Sequence, residues 1–347
     1  MADISQNVKL PTIQAIYQHY ESQARGHRMH LGASQIGKKC SRELWYQFRW
    51  AASPEFDGRM RRLFEHGEKE EERFVANLRA IGATVYDIDP STGKQFNFTA
   101  FGGHFGCSLD GAAQGIPESS KWHVTEFKTA NDKSFKKTAK TGVESDKPVH
   151  YAQMQVGMHL SGMERALYIV VNKNDDDMYG ERIEYKLNVS TSLLDRAERI
   201  IFAEDPPERI SDNPAWWECK FCPAHTLCHG RGVAEVNCRT CAHSTPMRDG
   251  TWHCARHEFA IDEETQRKGC ETHIFRPDLM GLGEAVDAGE DFVEYQSSRG
   301  ETWRNGPHGP KSYTSEEVRA SDDLPAPDDV EELRVKMGAS LKELEHE

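Results

Sequence analysis

Apolar and polar residues follow two periods along the chain, and both predict regular structure. The spacing of amphipathic helices is found in residues 11–25, 60–78, 148–162 and 192–204. The alternation or composition of strands is found in ATVYDI, FNFTAFGGHFGCSLDGAAQG, KWHVTEFKTA, RALYIVVNKN and ERIEYKLN. Helices and strands thus follow one another in mixed order, which predicts a mixed α/β sheet domain.

The helix predicted at residues 60–78 carries polar positions on its apolar face. That face is formed by Met60, Leu63, Phe64, Phe74, Val75 and Leu78. Gly67 and Glu71 occupy the same face. A glutamate is rarely buried without a cation or hydrogen bonds. Glu71 is therefore expected either to pair with a basic residue or to face a polar cavity or a metal.

Composition is that of an ordinary globular enzyme, with 347 residues, 37% hydrophobic residues and a formal net charge of −13. No apolar run of membrane-spanning length occurs, and the N-terminus MADISQNVKLPT has no signal-peptide character. A cytoplasmic location is therefore expected. Residues 286–347 hold 16 acidic and 7 basic side chains. The rest of the chain is nearly balanced, so the acidic total does not exclude a nucleic-acid partner.

Asp110, Glu126 and Lys128 are the candidate catalytic residues. On a strand, Glu126 and Lys128 share one face, and Asp110 belongs to the preceding strand-like segment. Two carboxylates suit Mg²⁺ or Mn²⁺, and a nearby lysine can hold or deprotonate water, as phosphodiester hydrolysis requires. Glu-x-Lys also occurs at Glu184 and Glu218, without such an aspartate. The alternative is a salt bridge on a solvated sheet face.

The succession of Asp110, Glu126-Phe127-Lys128 and Gln153 resembles the PD-(D/E)XK nuclease superfamily, in particular its RecB-like and lambda-exonuclease-like branches. This resemblance implies a restriction-endonuclease-like fold, a mixed sheet flanked by helices. It further implies that Asp110, Glu126 and the Phe127 carbonyl bind Mg²⁺ or Mn²⁺. Lys128 would then act on the attacking water.

Two further site positions are left with alternatives by the resemblance. Gln153 or Gln155 would position the substrate or the lysine. In the exonuclease branch a glycine precedes a glutamate by four residues, as Gly67 precedes Glu71. In the RecB branch a histidine occupies this region, and His66 is its candidate. The helical stripe favours Glu71 as the additional metal ligand.

Four cysteines form the first candidate metal site. Cys219, Cys222 and Cys228 follow the pattern C-x2-C-x5-C, and Cys40 lies far upstream. This arrangement resembles AddB-type and CRISPR-associated RecB-like nucleases, in which one early and three late cysteines hold a 4Fe-4S cluster. The resemblance implies an iron-sulfur clamp that ties the two ends of the nuclease domain together. A zinc site from the same residues and Cys107 in place of Cys40 are the alternatives.

A second set of cysteines follows, Cys238, Cys241, Cys254 and Cys270, in the pattern C-x2-C-x12-C-x15-C. Tetrahedral Zn²⁺ is the preferred interpretation, because a short segment with few apolar residues needs a cross-link in order to fold. A second iron-sulfur cluster and a segment without metal are the alternatives. A nearby histidine could replace one cysteine, the candidates being His243, His253, His257 and His273.

Three units are predicted along the chain. Residues 1–235 form the nuclease domain with its iron-sulfur cluster, and residues 236–285 form a small module that we call the cysteine module. Residues 286–347 form an acidic tail, with a hairpin near its Asn-Gly signal and a terminal helix.

Basic and aromatic residues near the predicted site are candidates for DNA contacts. Lysines follow the candidate catalytic lysine at Lys133, Lys136, Lys137 and Lys140. They contact phosphates if they face the site, or belong to an ordinary solvated loop. An aromatic cluster follows Cys40 and consists of Trp45, Tyr46, Phe48 and Trp50. Aromatic side chains can stack on bases, but the helical spacing of these residues is more typical of a hydrophobic core.

The sequence therefore predicts a metal-dependent deoxyribonuclease, an exonuclease rather than an endonuclease, acting in recombination, repair or phage DNA processing. If phage-encoded, it would act in the host cytoplasm. Because the chain has no phosphate-loop motor motif, it is expected either to digest DNA ends alone or to be recruited by a helicase or a single-strand annealing protein. Two other classes remain open, a non-catalytic DNA-binding or scaffold protein on a nuclease-like fold, and a zinc-dependent regulator without chemistry.

Overall fold

A computed structural model describes residues 10–23, 26–297, 300–307, 309 and 311–321. Within these ranges the helices are α1 Pro11–Ser22, α2 Ala33–Ile36, α3 Ser41–Phe48, α4 Gly58–Ala80, α5 Asp132–Thr141, α6 Val143–Asp146, α7 Pro148–Ser161, α8 Leu187–Ile201, α9 Trp217–Lys220, α10 His225–His229, α11 Glu263–Lys268 and α12 Ser315–Ala320.

The strands form four sheets. They are β1 Leu31–Gly32, β2 Thr84–Tyr86, β3 Asn97–Ala100, β4 Phe105–Ser108, β5 Gly111–Gln114, β6 His123–Ala130, β7 Arg165–Asn172, β8 Met178–Glu184, β9 Ser244–Pro246, β10 Trp252–Cys254, β11 Phe259–Ile261, β12 Glu284–Ala288, β13 Val293–Gln296, β14 Thr302–Asn305 and β15 Ser312–Tyr313. The predicted mixed α/β class is confirmed.

The largest sheet has the strand order β2-β5-β6-β7-β8. β6 and β7 are parallel, whereas the other neighbouring pairs are antiparallel. A parallel pair needs a long crossover, and the connection from β6 to β7 carries α5, α6 and α7. A smaller sheet, β1-β4-β3, brings the segment before α2 alongside the loop that leads to Asp110.

Alternating residues of the large sheet bury both of its faces. On one face α4 packs through Phe74, which stacks on Phe127 of β6 with ring centroids 5.1 Å apart. On the other face α7 contributes Met154, and Val124 belongs to the same apolar cluster. Burial of this kind stabilises by roughly 25 cal/mol per Å² of apolar surface. The strand that bears Glu126 and Lys128 is therefore held rigidly from both sides.

The cysteine module shares its core with the large sheet. Trp252, Ile274 and Phe275 are buried in the same apolar cluster as the α7 side of that sheet. The three-stranded sheet β11-β10-β9 and the four-stranded sheet β12-β13-β14-β15 follow each other along the chain. The division at residue 236 remains a prediction about domains.

Three local predictions were wrong in detail. The lysine-rich segment after β6 is helical and not a loop, because Asn131 caps α5 and Phe135 is buried beneath it. Phe64 is exposed and packs edge-to-face on Phe56. The predicted hairpin consists of β13 and β14, with Gln296 opposite Thr302 at its closed end, and the Asn-Gly pair instead leads into β15.

The aromatic cluster after Cys40 is confirmed as core. Trp45, Tyr46, Phe48 and Trp50 are each at most 2% exposed, so none of them can stack on a base. None of the described helices is long and apolar enough to cross a membrane. The predicted terminal helix of the acidic tail lies outside the described residues.

Candidate active site

Asp110 is positioned by the pairing of β5 with β6. It lies directly before β5, whose first residue, Gly111, stands opposite Thr125. The Asp110 Oδ2 atom accepts a hydrogen bond of 2.8 Å from the backbone N–H of Phe127. The peptide between the candidate glutamate and the candidate lysine therefore orients the aspartate.

Lys128 brings the candidate groups together. Its Nζ lies 2.6 Å from Glu126 Oε1 and 3.6 Å from Asp110 Oδ2. The same ammonium donates a 2.8 Å hydrogen bond to the Phe127 carbonyl. A cationic group is thus surrounded by the three oxygens that the sequence resemblance assigns to a metal ion.

Burial and mutual charge set the protonation states of Glu126 and Lys128. Glu126 is 1% exposed, and burial raises its pKa to about 8, with Lys128 acting in the opposite direction. Burial alone would lower the pKa of Lys128, but the carboxylates of Glu126 and Asp110 outweigh it and raise that pKa. The lysine is therefore charged at neutral pH, whereas the buried glutamate holds its proton readily.

Glu71 adds a third carboxyl group from α4. It is half-buried and lines the same cleft as Asp110. Burial and the Asp110 carboxylate raise its pKa to about 7. Glu71 was expected either to pair with a basic residue or to face a polar cavity or a metal, and it faces a polar cavity. His66 is exposed on the same helix and does not line the cleft, so the geometry favours Glu71 over His66.

The cleft has a volume of about 830 Å³ and contains residues that the sequence patterns did not reveal. Arg28, His30 and Ser34 line it together with Asp110. The Arg28 Nη1 atom donates a 3.2 Å hydrogen bond to Ser34 Oγ. No period in the sequence marks these residues, because the parallel pairing of β1 with β4 brings an irregular segment to the site.

The two glutamines of α7 have different surroundings. Gln153 lines the cleft. Gln155 is fully buried, donates to the Glu184 carbonyl and accepts from Lys186 N, each at 2.8 Å. Gln155 thus joins α7 to the segment after β8, and Gln153 is the glutamine that is open to a substrate.

The donor set of the cleft fits a hard divalent cation. The buried Glu126 Oε1 and the Asp110 Oδ2 both face the Lys128 ammonium, at 2.6 and 3.6 Å, so two carboxylates converge on one cationic position. Carboxylate and carbonyl oxygens are the ligands that Mg²⁺ and Mn²⁺ prefer. In the part of the chain that the structure describes, no three His, Cys, Asp or Glu residues are already arranged to hold a metal ion. An ion at this position would take the place of the ammonium.

The four lysines considered for DNA binding lie on or beside α5, and none of them lines the cleft. Lys136 pairs with Asp132 and Lys137 pairs with Asp146. Lys133 and Lys140 are exposed. The Lys136–Asp132 pair is exposed and contributes little to stability, so Lys136 is able to exchange partners, whereas the Asp146 side chain is only 1% exposed and also pairs with Lys147.

The first set of cysteines meets at one small cavity between α3 and the segment that contains α9 and α10. Its lining includes Cys40, Cys219, Cys222 and Cys228, together with Glu43 and Arg209. Cys40 caps α3, and its sulfur accepts from Glu43 N. Cys107 is buried elsewhere, in the core beneath the Asp110 loop, where burial raises its pKa to about 12. Cys40 is therefore placed with the three late cysteines, and Cys107 is not.

The second set of cysteines lies around the three-residue turn Cys238–Thr240 and the sheet formed by β9, β10 and β11. Of the histidines considered as substitutes, His273 is buried and hydrogen-bonded to Ser315 Oγ and the Asn237 carbonyl, at 2.7 and 3.1 Å. That ring is already occupied, which excludes His273 as a substitute, whereas His243, with a buried Nε2 atom that has no hydrogen-bond partner among the described residues, stays an alternative.

Comparisons with known proteins add little to this geometry. No family model matches the chain, and no curated protein matches it. Solved structures that it resembles include the alkaline exonuclease LHK-Exo from Laribacter hongkongensis, at 19% identity and a TM-score of 0.34, covering 53% of this chain and 90% of that one. LHK-Exo in complex with dAMP gives 18% identity, a TM-score of 0.34 and coverages of 54% and 90%. The structure of SSO0001 has 13% sequence identity and a TM-score of 0.37, and the match covers 62% of this chain and 96% of that one.

Proposed function

We propose that this protein is a metal-dependent deoxyribonuclease, and an exonuclease rather than an endonuclease. The observation that carries the proposal is the convergence of Asp110, Glu126 and Lys128 beside the cleft that Asp110 and Glu71 line. The carboxylate oxygens of both acids lie within 3.6 Å of the lysine nitrogen, although Asp110 precedes β5 and Glu126 belongs to β6. Two acids and an ammonium at an open cleft match the needs of phosphodiester hydrolysis.

Asp110, Glu126 and the Phe127 carbonyl would hold Mg²⁺ or Mn²⁺, with Glu71 as an additional ligand. When bound, the ion neutralises charge on the phosphate and lowers the pKa of water. Lys128, released from Glu126, would hold the attacking water by its ammonium. Gln153 lies in the same cleft and would orient the lysine or the scissile phosphate.

The nucleic-acid path is proposed from the cations that face the cleft. Arg28 lines the cleft, and its guanidinium can contact a phosphate. Lys133 and Lys140 would extend the path over α5, with Lys136 and Lys137 exchanging their acidic partners for phosphates. A role in recombination, repair or phage DNA processing, with a helicase or annealing protein as partner, is supported by the sequence resemblance.

We also propose that Cys40, Cys219, Cys222 and Cys228 hold a 4Fe-4S cluster. Four thiols around one cavity match the ligand number of such a cluster. Burial raises the pKa of Cys222 to about 12, so ligand binding must displace its proton. The cluster would join α3 to the chain about 180 residues later and so close the nuclease domain.

The test is cleavage of linear and covalently closed duplex DNA in Mg²⁺ or Mn²⁺. We expect digestion of the linear substrate, and a loss of activity of about 10³-fold or more in Asp110→Ala and in Lys128→Ala. The matched control is Lys186→Ala, which removes the lysine of a second Glu-x-Lys triplet; that lysine pairs with Glu144 on the surface. Equal cleavage by the wild type and both site variants would remove the proposed site, and absence of cleavage by the wild type would assign the chain to a non-catalytic DNA-binding protein.

A further inference from the structure

The cysteine module contains a thiol pair on a single turn. Cys238 and Cys241 flank a 3₁₀ turn that is closed by the hydrogen bond from Cys241 N to the Cys238 carbonyl, at 3.1 Å. Asn237 caps this turn by accepting from Arg239 N at 3.0 Å. A C-x2-C turn of this kind is a common way to present two ligands to one metal ion.

The other two cysteines are brought to this turn by backbone pairing. Cys254 stands opposite Ser244, whose N–H donates to the Cys241 carbonyl at 3.2 Å. Cys238 Sγ lies 3.3 Å from the carbonyl of Thr265 in α11, and Cys270 follows directly after that helix. These contacts bring segments separated by up to 32 residues next to the turn that carries Cys238 and Cys241.

All four cysteines of the module are free thiols and not disulfides. Cys238 and Cys241 are buried at the turn, Cys254 is half-buried on β10, and Cys270 is exposed after α11. Four sulfur donors on neighbouring segments suit Zn²⁺.

The turn also touches the wall of the catalytic cleft. Arg239 is 1% exposed and donates to the carbonyls of Met29 and Phe48 at 3.0 and 2.9 Å. Its guanidinium lies 3.8 Å from the ring centroid of Trp50. Because Met29 and its neighbour Arg28 line the cleft, one side chain connects the thiol turn to the cleft wall.

A second arginine holds the same segment from α11. Arg267 Nη2 donates to the His27 carbonyl at 2.9 Å, and its guanidinium also lies over Trp50. Arg239 and Arg267 are carried by the two halves of the cysteine module, the turn before β9 and the helix after β11. The two halves are joined by the hydrogen bond from Arg239 Nε to Gln266 Oε1, at 2.9 Å, and a metal ion between their cysteines would add a second connection.

We propose that Cys238, Cys241, Cys254 and Cys270 bind one Zn²⁺ ion, and that this ion holds the two halves of the module together and thereby fixes residues 27–29 of the cleft wall. Within the described residues no three His, Cys, Asp or Glu side chains are arranged to hold a metal ion, so the four sulfurs must move together when the ion binds. The proposal does not depend on the nuclease activity, because its tests measure metal content and backbone protection.

The first test is elemental analysis of the purified full-length protein. Relative to the wild type, Cys254→Ser and Cys270→Ser should each lose one equivalent of zinc, while iron content stays unchanged. Cys107→Ala is the control, since that thiol is buried in the core apart from the module. Unchanged zinc in the two variants would overturn the ligand assignment. Loss of iron and sulfide in place of zinc would overturn the identity of the metal.

The second test is hydrogen exchange measured before and after zinc is removed with a chelator. Amides of residues 27–32 and of the cysteine module should exchange at least about tenfold faster without zinc, whereas those of β6 and β7 should not change. Arg239→Gln should retain zinc and still loosen residues 27–32. If zinc removal leaves residues 27–32 protected, the connection to the cleft wall is wrong even where zinc binding is correct.

Discussion

The acidic pocket and the cysteine module both gather donors that suit a metal ion, but they are stabilised differently. In the pocket, Asp110 and Glu126 already have an internal cation, the Lys128 ammonium, and a strand packed on both faces. In the module, burial and the other three thiols raise the pKa of Cys238, and the neighbouring strands β9, β10 and β11 have only three residues each. The pocket should therefore keep its shape without a divalent ion, whereas the module should loosen without its metal.

The largest expected effect separates chemistry from folding in the pocket. Asp110→Asn keeps the size of the side chain but removes a charge next to Lys128. We expect cleavage to fall by about 10³-fold with a melting temperature within about 2 °C of the wild type. Activity assays and thermal unfolding of the same preparation measure both. A variant that is active, or one that is unfolded, would contradict the description of a preformed pocket.

For the four cysteines at the small cavity, Cys40, Cys219, Cys222 and Cys228, a substitution is expected to lower the stability of the fold. Cys222→Ser should abolish visible absorbance of an anaerobically purified protein and lower the melting temperature by about 5 °C or more. Cys107→Ala should keep the absorbance, because that cysteine does not line the cavity. If colour persists in Cys222→Ser, the assigned ligands are wrong.

Two residues on α4 provide a finer comparison. Glu71→Gln should lower cleavage by about 10- to 100-fold, since Glu71 lines the cleft beside Asp110. His66→Ala should change cleavage less than about twofold, since His66 is exposed outside the cleft. Steady-state rates at saturating Mn²⁺ distinguish the two. A larger effect at His66 would restore the histidine of the RecB branch as the ligand.

Metal affinity should depend on pH in the pocket. Burial raises the pKa of Glu126 to about 8 and that of Glu71 to about 7, so both carboxyls retain protons near neutrality. An ion competes with those protons, and Mn²⁺ affinity should rise by about tenfold or more between pH 6 and pH 8. Calorimetric titration at both pH values measures this. An affinity independent of pH would mean that neither glutamate is a ligand.

The smallest expected effect concerns folding and its pH dependence. His150 lies behind the pocket with its Nδ1 3.1 Å from Tyr168 Oη, and burial together with Lys128 lowers its pKa to about 3. Because the unfolded chain binds this proton below pH 6.5 and the folded chain does not, the stability of the fold falls as pH drops. Between pH 7 and pH 5 the advantage of the wild type over His150→Asn should shrink by about 1 to 2 kcal/mol. Denaturant unfolding at both pH values measures the change, and a constant difference would contradict it.

Periodicity alone predicted the mixed α/β class and the shared face of Glu126 and Lys128, because strand alternation is a local property. Periodicity gave the wrong local structure for two segments, the lysine-rich segment after β6 and the hairpin turn. The lysine-rich segment was predicted as a loop because its polar residues obscured Phe135, and the Asn131 cap decided for a helix. The hairpin turn was predicted at the Asn-Gly pair, although the closed end of β13 and β14 is the pair of Gln296 and Thr302.

Sequence by itself determined which donors are present: two acids and a lysine at strand spacing, and two sets of four cysteines. Only the tertiary structure decided which of them meet. It placed Glu71 and not His66 at the cleft, Gln153 and not Gln155, and Cys40 and not Cys107 at the cavity. It also brought Arg28 and Ser34 to the cleft. These choices depend on contacts between distant segments, and such contacts are fixed by burial of a common core and not by any local period.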